Sequence, residues 1–290
     1  METAAVNGIE ICFDTVGDES DPAVLLIMGL GGQLIVWDDS ICDDLADRGF
    51  FVIRFDNRDV GLSSHFDSLG APNLIEIFMG AYDKAPYRLA DMAADTVGLL
   101  EYLSLSAAHI VGVSMGGMIA QQIAIDHPEV VLSLASIMST TGDRSVGQTR
   151  PEIIAALASG LPTTFDEQIE KQITMAELLS SPGYGFDPSY ALDKAMRSID
   201  RANHPVGTLR QLAAIFASGD RTSALGKVAV PTVVIHGDSD PLIDISGGRA
   251  TAAAVPGARF VEISGMGHEI PPIVWPRIRD EILNNIASRG

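Results

Sequence analysis

The pentapeptide Gly112-Val113-Ser114-Met115-Gly116 constrains the fold of this chain more strongly than any other stretch of its sequence. An apolar run at 108–111 precedes it, and an apolar pattern typical of a helix follows it at 118–124. Strand, glycine-flanked serine and helix, in that order, are the context in which G-x-S-x-G forms a nucleophile elbow. We expect side chains at Gly112 or Gly116 to collide with neighbouring backbone, and Ser114 to adopt a strained backbone conformation. A plain glycine-serine turn would explain the pentapeptide alone, but not its place between a strand and a helix.

The rest of the chain alternates between apolar strand patterns and amphipathic helix patterns. Two edge strands are predicted at 4–6 and 9–13, joined by the turn pair Asn7-Gly8. Buried strands are predicted at 23–28 and 50–55, and further strands at 108–114, 131–137, 232–235 and 259–263. Helices are predicted at 37–47, 89–103, 115–127 and 273–287. This alternation predicts an α/β fold in which helices cover both sides of a mostly parallel central sheet.

The alternation stops between Ser139 and Leu225, where the sequence holds helical patterns punctuated by prolines. Helices are predicted in this stretch at 152–159, 167–179, 190–201 and 205–217. The economical interpretation is a helical cap inserted at 139–225, with residues 1–138 and 226–290 forming a single core.

A serine hydroxyl needs a base to take its proton during nucleophilic attack, and the pKa of histidine suits that role. His268 lies in a glycine-rich loop, 265–269, between the last predicted strand and the last predicted helix. Loops at the carboxyl ends of parallel strands share one side of a sheet, so this loop should face Ser114. We therefore predict that His268 is the base. A solvated loop role is favoured for His65, a helix-terminal role for His127, and a packing role for His236, with support of the acid as its alternative. His109 begins the elbow strand, at the end away from Ser114, and His204 lies in the predicted cap.

A carboxylate beside the histidine would fix its tautomer and stabilise the imidazolium. The expected chain order is nucleophile, acid, histidine, and the loop after the penultimate strand offers Asp238, Asp240 and Asp244. A proline follows Asp240, which restricts its backbone to extended conformations. Asp238 follows a glycine, as is typical of an aspartate that caps local amides. We predict Asp240 as the acid, and we interpret Asp56 and Asp59, in an earlier loop, as hydrogen-bonding residues.

Attack on a carbonyl also requires two fixed donors for the oxyanion that forms. One candidate is the backbone amide of Met115, directly after the serine. The other is the amide of Leu30, in the loop Gly29-Leu30-Gly31-Gly32 that follows the strand at 23–28. A plain flexible turn would explain these glycines equally well, and only the presence of the elbow favours the oxyanion role.

These elements together resemble the α/β-hydrolase superfamily over nearly the whole chain. The resemblance rests on 25–29, 52–63, the elbow at 112–117, Asp240-Pro241 and 265–268. Within the superfamily, the chain is similar to bacterial carboxylesterases related to aclacinomycin methylesterase. The resemblance implies a triad of Ser114, Asp240 and His268, with oxyanion amides at Leu30 and Met115. Met28-Gly29 stands where many relatives have His-Gly, and methionine at this place agrees with the methylesterase-like subgroup.

The predicted reaction is hydrolysis of small to medium carboxylic esters through an acyl-enzyme, with no metal and no organic cofactor. Methionines near the site suggest a hydrophobic and adaptable substrate pocket, although plain core packing is the commoner role: Met28, Met118, Met138 and Met266. Serine at the elbow disfavours epoxide hydrolases and haloalkane dehalogenases, which place aspartate there. Three alternatives stay open: a carbon–carbon bond hydrolase, a proline iminopeptidase-like hydrolase, and a non-catalytic small-molecule receptor on the same scaffold.

The charge balance argues against nucleic acid as a partner. The chain of 290 residues carries 19 basic and 38 acidic residues, for a net charge of −19, and such a surface repels phosphate backbones. The sequence shows no basic region followed by an apolar run at its start, and no uncharged apolar stretch long enough to cross a bilayer. Cys12 and Cys42 lack a metal-ligand spacing and fit a reduced protein, so a cytoplasmic location is expected.

Overall fold

Residues 1–157 and 159–288 are described by the computed structural model of this chain. Their strands are β1 (Glu2–Val6), β2 (Ile9–Val16), β3 (Ala23–Ile27), β4 (Phe51–Phe55), β5 (Ala108–Val113), β6 (Val131–Ile137), β7 (Thr232–Gly237) and β8 (Arg259–Ile263). They form one eight-stranded sheet in the order β1-β2-β4-β3-β5-β6-β7-β8. β2 pairs antiparallel with both β1 and β4, and every other neighbouring pair is parallel.

The α-helices of the described residues are α1 (Asp39–Ala46), α2 (Leu74–Phe78), α3 (Leu89–Tyr102), α4 (Met115–Asp126), α5 (Pro151–Leu157), α6 (Phe165–Leu179), α7 (Pro188–Arg201), α8 (Pro205–Ser218), α9 (Thr222–Leu225), α10 (Ser246–Ala254) and α11 (Trp275–Ala287). Every helix and strand expected from the sequence has a counterpart, with ends displaced by a few residues. None of the helices in the described part of the chain has both the length and the apolar character needed to cross a bilayer.

The first two strands form the hairpin expected from the pair Asn7-Gly8. Asn7 has a φ of 46° and Gly8 a φ of 78°, and Val6 pairs with Ile9 across the turn. Two successive positive φ values fit the two-residue turn whose twist matches that of the flanking strands. The predicted edge hairpin is therefore confirmed.

The central strands are buried because helices cover both faces of the sheet. Along β3, Ala23, Leu25 and Ile27 pack into one apolar cluster with residues of α3 and α4. Val24 and Leu26 face the other way and pack with residues of α1 and α11. Successive side chains of a strand point to opposite faces, so a continuous apolar run contributes to both clusters. This arrangement confirms the predicted α/β fold with a mostly parallel sheet between helical layers.

Helix α10 is not predicted by the sequence pattern, because its first turn contains two glycines, which have low helix propensity. A Cβ at Gly247 would lie 3.0 Å from Ile243 Cγ2 and 3.0 Å from Thr140 Cβ. A Cβ at Gly248 would overlap the ring of His236. The two glycines therefore let the helix pack close to the end of β7, and packing outweighs propensity here. The short helices α2 and α9 are also not predicted.

Helices α5 to α9 lie in the stretch between β6 and β7, which we call the β6–β7 segment. It contains the stretch predicted as a cap insertion at 139–225, and we retain that boundary, with the core at 1–138 and 226–290, as a prediction. Ala158, which falls within the predicted helix 152–159, and Arg289 and Gly290, which fall within the predicted core, lie outside the described residues.

A buried ion pair fastens the β6–β7 segment to the first loop after β4. Arg210 on α8 donates to both carboxylate oxygens of Asp59, at 2.8 Å from Nε and 2.7 Å from Nη2. Asp59 also accepts from the Tyr87 hydroxyl and the Phe66 amide, each at 2.8 Å. The side chains of Arg210 and Asp59 are fully buried, whereas Asp67, a second partner of Arg210 at 3.0 Å, is 68% exposed. The interpretation of Asp59 as a hydrogen-bonding residue is confirmed.

Replacing Asp59 by alanine is expected to lower the free energy of unfolding by about 3–5 kcal/mol, because the Arg210 guanidinium would stay buried without its carboxylate. Asp67→Ala is the matched control, since it removes an exposed carboxylate from the same guanidinium. Its expected cost is less than about 1 kcal/mol. Urea denaturation of both variants measures the difference. Equal losses would show that the buried pair contributes no more than the exposed one.

Candidate active site

Ser114 occupies the tight turn between β5 and α4. Its φ of 56° and ψ of −119° lie in a region that residues with a side chain rarely adopt. A Cβ at Gly112 would overlap the Gly116 carbonyl, and a Cβ at Gly116 would overlap the carbonyl of Ile27. Both features of the predicted elbow are therefore confirmed. Glycine at these positions lets the turn close, and the strand and helix on either side hold the strained serine in place.

Hydrogen bonds to the last residue of β6 and to a residue just beyond it fix the backbone of Ser114. Its amide donates to the carbonyl of Ile137 at 2.9 Å, and its own carbonyl accepts from the Ser139 hydroxyl at 2.8 Å. The residue is 8% exposed. The position of the hydroxyl is thus determined by the sheet rather than by a mobile loop.

His268 lies between Ser114 and Asp240 and contacts both. Its Nε2 is 2.9 Å from Ser114 Oγ, and its Nδ1 is 2.7 Å from Asp240 Oδ2. The three residues follow the carboxyl ends of β5, β7 and β8, which lie in the same parallel part of the sheet, with β6 between β5 and β7. The structure therefore brings the three side chains singled out by the sequence into one hydrogen-bonded series.

The environment of Asp240 favours its ionised form. Oδ1 accepts from the amides of Leu242 and Ile243, each at 2.9 Å. Burial acts to raise the pKa of Asp240, but attraction to His268 and hydrogen bonds from His236 and His268 outweigh it, and the pKa lies well below its usual range. Asp240 is therefore a hydrogen-bond acceptor for His268, and it favours the tautomer of the imidazole that carries its hydrogen on Nδ1.

Asp238, the other candidate acid, makes contacts of a different kind. It accepts from the Gly265 amide at 2.7 Å and from the hydroxyls of Ser239 and Ser264 at 2.8 and 2.9 Å. The hydrogen bond from Gly265 is the main cause that lowers the pKa of Asp238. These contacts tie the loop after β7 to the loop after β8, as expected of an aspartate that caps local amides.

The β6–β7 segment holds the loop that carries His268. The His268 amide donates to the carbonyl of Leu179, and the Gly267 amide donates to the Ser181 hydroxyl, both at 2.9 Å. A Cβ at Gly267 would overlap the carbonyls of Leu179 and Ser180, so the two chains can approach this closely because position 267 is glycine. The position of the histidine depends on this segment as well as on the sheet.

Gly29 to Gly32 form a tight turn beside Ser114. The Gly32 amide donates to the Gly29 carbonyl at 3.1 Å, and a Cβ at Gly29 would lie 3.1 Å from Ser114 Cβ. In a trans peptide the Leu30 amide points away from the Gly29 carbonyl, and hence out of the turn. The Met115 amide lies in the first turn of α4, where amides have no acceptor within the helix. Neither the turn nor the helix therefore uses the candidate oxyanion amides of Leu30 and Met115 in its internal hydrogen bonds.

Two residues that the sequence patterns do not single out contact the loops around the site. Gln211, fully buried on α8, accepts from the Gly31 amide and donates to the Arg58 carbonyl, each at 2.8 Å. Arg201, at the end of α7, lies 2.8 Å from the carboxylate of Asp56. Polar side chains on the buried side of a helix would have been the signal, but that side is known only once the helix is docked.

His236 has the packed position that the sequence predicts, and it also lies close to Asp240. It is fully buried, with Nε2 2.8 Å from the Ile243 carbonyl and 3.3 Å from Asp240 Oδ2. Its alternative role, support of the acid, therefore agrees with its contacts. The remaining histidines make other contacts: His65 stacks on His204, His109 contacts Ser133, and His127 lies near Glu129.

The four methionines predicted to line a pocket differ in their surroundings. Met118, Met138 and Met266 are buried in the two apolar clusters of the core, whereas Met28 is only partly buried. Core packing accounts for the three buried ones, and the pocket role stays a prediction. Within residues 1–157 and 159–288, no group of three His, Cys, Asp or Glu side chains is arranged to hold a metal ion.

This fold and this site match a known family. Residues 22–272 match the profile of the family described as alpha/beta hydrolase fold. The chain belongs to the alpha/beta hydrolase family. The superfamily resemblance expected from the elbow, the Asp240-Pro241 pair and the histidine loop is therefore confirmed.

Two relatives in this family are rhodomycin D methylesterases. The chain is 29% identical over 279 residues to that of Streptomyces sp. (strain C5), with 88% of each protein covered. It is 29% identical over 296 residues to that of Streptomyces peucetius, with 93% of each protein covered. Among solved structures, the enol-lactonase from Burkholderia xenovorans superposes with a TM-score of 0.77 at 21% identity, covering 99% of this chain and 100% of that chain. The expected similarity to methylesterases is confirmed, and the likeness to the lactonase shows the shared fold.

Proposed function

We propose that this alpha/beta hydrolase is a serine carboxylesterase with Ser114 as nucleophile, His268 as general base and acid, and Asp240 as the carboxylate that orients His268. The observation that carries the proposal is the series Ser114 Oγ–His268 Nε2 at 2.9 Å and His268 Nδ1–Asp240 Oδ2 at 2.7 Å. A serine hydroxyl is a poor nucleophile at neutral pH, and these two partners supply the base and the orientation that it needs.

The first half of the proposed reaction forms an acyl-enzyme. Ser114 Oγ attacks the ester carbonyl carbon while its proton passes to His268 Nε2. Asp240, whose pKa is held low by its donors, stabilises the imidazolium. The amides of Leu30 and Met115 donate to the oxyanion of the tetrahedral intermediate. His268 then gives its proton to the departing alkoxide, and the alcohol leaves.

The second half releases the acid. Water takes the place of the alcohol and attacks the acyl carbon while His268 removes its proton. The second tetrahedral intermediate uses the same two amides, and its collapse returns the proton to Ser114 Oγ. The proposed reaction draws only on groups of this chain and on water.

We propose small to medium carboxylic esters as the substrates, methyl esters among them. The relatives' names support methyl esters, because both are methylesterases. We also propose that residues 139–225 act as a cap that limits substrate size, and that Met28, Met118, Met138 and Met266 contribute to an apolar wall. The contacts of Leu179, Ser181 and Gln211 with the site loops support the cap.

A cytoplasmic location agrees with Cys12 and Cys42 being free and buried.

An ester panel and a covalent probe test the proposed function. A fluorophosphonate is expected to label the protein at Ser114, as mapped by mass spectrometry of the peptides. Turnover of p-nitrophenyl esters is expected to be saturable and to peak at short to medium acyl chains, and methyl esters of small carboxylic acids should be hydrolysed.

Three outcomes would contradict the proposal. Turnover confined to emulsified long-chain lipid would refute the proposed substrate size. Cleavage of carbon–carbon bonds without ester hydrolysis would assign the triad to another reaction. Tight binding of small molecules with negligible turnover would indicate a receptor.

A further inference from the structure

Gln211, in the β6–β7 segment, joins the turn beside Ser114 to the loop after β4. Gln211 accepts a hydrogen bond from the Gly31 amide and donates one to the Arg58 carbonyl, each at 2.8 Å. It is fully buried. Both ends of its amide group have partners, and its burial shields the two hydrogen bonds from bulk water.

The turn needs such an external support because of its composition. Three of its four residues are glycines, which restrict the backbone little, and Gly31 has a positive φ of 68°. Its internal hydrogen bond, from Gly32 to Gly29, closes the turn but does not fix its place over Ser114. Gly31 directly follows Leu30, so a bond to the Gly31 amide restrains the neighbouring Leu30 amide.

The support on the other side is rigid. The Arg58 side chain donates to both carboxylate oxygens of Asp95, at 2.6 and 2.7 Å, and the pair is buried. Thr208 precedes Gln211 by three residues on α8 and lies against the turn formed by Gly29 to Gly32. A Cβ placed at Gly31 would come within 2.9 Å of the Thr208 hydroxyl. Helix α8 thus seats directly on the turn, with Gln211 as the polar link.

We propose that Gln211 is a positioning residue that holds the Leu30 amide in place for the oxyanion. The inference rests on the proposed function and adds a specific route by which the β6–β7 segment controls the rate. Oxyanion donors must lie within about 3 Å of the developing charge, and a displacement of about 1 Å far from the reacting atoms costs about a hundredfold in rate.

The decisive variant is Gln211→Met, which keeps the length of the side chain and removes both hydrogen bonds. We expect kcat for a short p-nitrophenyl ester to fall about a hundredfold, with KM little changed, because the lost interaction acts in the transition state. The Ki of a trifluoromethyl ketone, whose adduct with the serine carries an oxyanion, should rise in parallel. If Gln211 only stabilised the fold, the variant would have a lower melting temperature, but the folded protein would keep its kcat and its inhibitor Ki.

Two further variants serve as controls. Ser218→Ala removes a hydrogen bond between the same helix and the core, from the Leu89 amide at 2.9 Å, at a place away from the turn, and should leave kcat unchanged. Gln211→Glu keeps an acceptor for Gly31 but sets a carboxylate oxygen against the Arg58 carbonyl. It should lose less activity than Gln211→Met. If the methionine variant does not fold, we expect a partial fall in kcat for Gln211→Glu with KM little changed, and a kcat and inhibitor Ki equal to those of the wild type would overturn the role of Gln211.

The outcomes separate this inference from the proposed function. If the wild-type protein turns over no ester and Ser114 is not labelled by a fluorophosphonate, the proposed function fails. If the wild type is active and folded Gln211→Met keeps its kcat and inhibitor affinity, only the role of Gln211 is overturned. Equal losses of kcat in Ser218→Ala and Gln211→Met would overturn it as well.

Discussion

Ser114→Ala is expected to lower kcat for ester hydrolysis by about 10⁶-fold, because it removes the atom that forms the acyl-enzyme. The fold should not change. Alanine meets the same backbone strain as serine at a φ of 56°, since both carry a Cβ, so the melting temperature is expected to stay close to that of the wild type. Turnover measured at high enzyme concentration, together with loss of fluorophosphonate labelling, checks both expectations.

Ser139→Ala is the control for this variant. Ser139 lies beside the nucleophile and donates to its carbonyl at 2.8 Å, but its hydroxyl takes no part in the proposed reaction. A loss smaller than about tenfold is expected, because the carbonyl of Ser114 loses one neutral hydrogen bond. A comparable collapse in both variants, or labelling that persists in Ser114→Ala, would remove Ser114 from its proposed role.

Asp240→Asn is expected to lower kcat by about 10⁴-fold, because an amide neither holds the required tautomer of His268 nor balances the imidazolium charge. Asp238→Asn is the matched comparison. It changes an aspartate two residues away whose partners are Gly265, Ser239 and Ser264. We expect a much smaller loss there, caused by loosening of the loop after β8. Steady-state kinetics of the two variants with one ester measure the contrast.

The opposite pattern would reassign the acid. If Asp238→Asn collapsed turnover and Asp240→Asn did not, the orienting carboxylate would be Asp238. Such a result would require a rearrangement of the two loops, because His268 Nδ1 lies 2.7 Å from Asp240 Oδ2.

The sequence predicts the fold well because the central strands of the sheet are buried on both faces. Continuous apolar runs such as 23–27 are typical of such strands, and the Asn7-Gly8 pair specifies its hairpin locally. The same strands predict where the triad lies, since their carboxyl ends meet on one side of the sheet. Ser114 directly follows β5, and Asp240 and His268 lie in the loops that follow β7 and β8.

The contacts of the β6–β7 segment could not be predicted in the same way. Gln211 and Arg201 lie on helices whose patterns show amphipathicity but not the partner of each face. Gly247 and Gly248 weaken the helical pattern of α10 in the sequence. The reason for these glycines is seen only in the folded structure, where the helix packs closely against His236 and Ile243. In the sequence only a neighbouring proline favours Asp240 over Asp238, and the different partners of the two aspartates depend on how the loops after β7 and β8 meet.

The hydrogen bond from the His268 amide to the Leu179 carbonyl has a consequence for protein engineering. Exchange of residues 139–225 for the equivalent stretch of a relative, as a way to alter specificity, would also exchange a support of the histidine. A chimera should therefore retain residues 179–183 of the host chain and place its crossover points on either side of them. Recombinants that change the backbone path of this stretch, or replace Ser181, are expected to lose turnover for every substrate alike, whatever pocket the donor supplies.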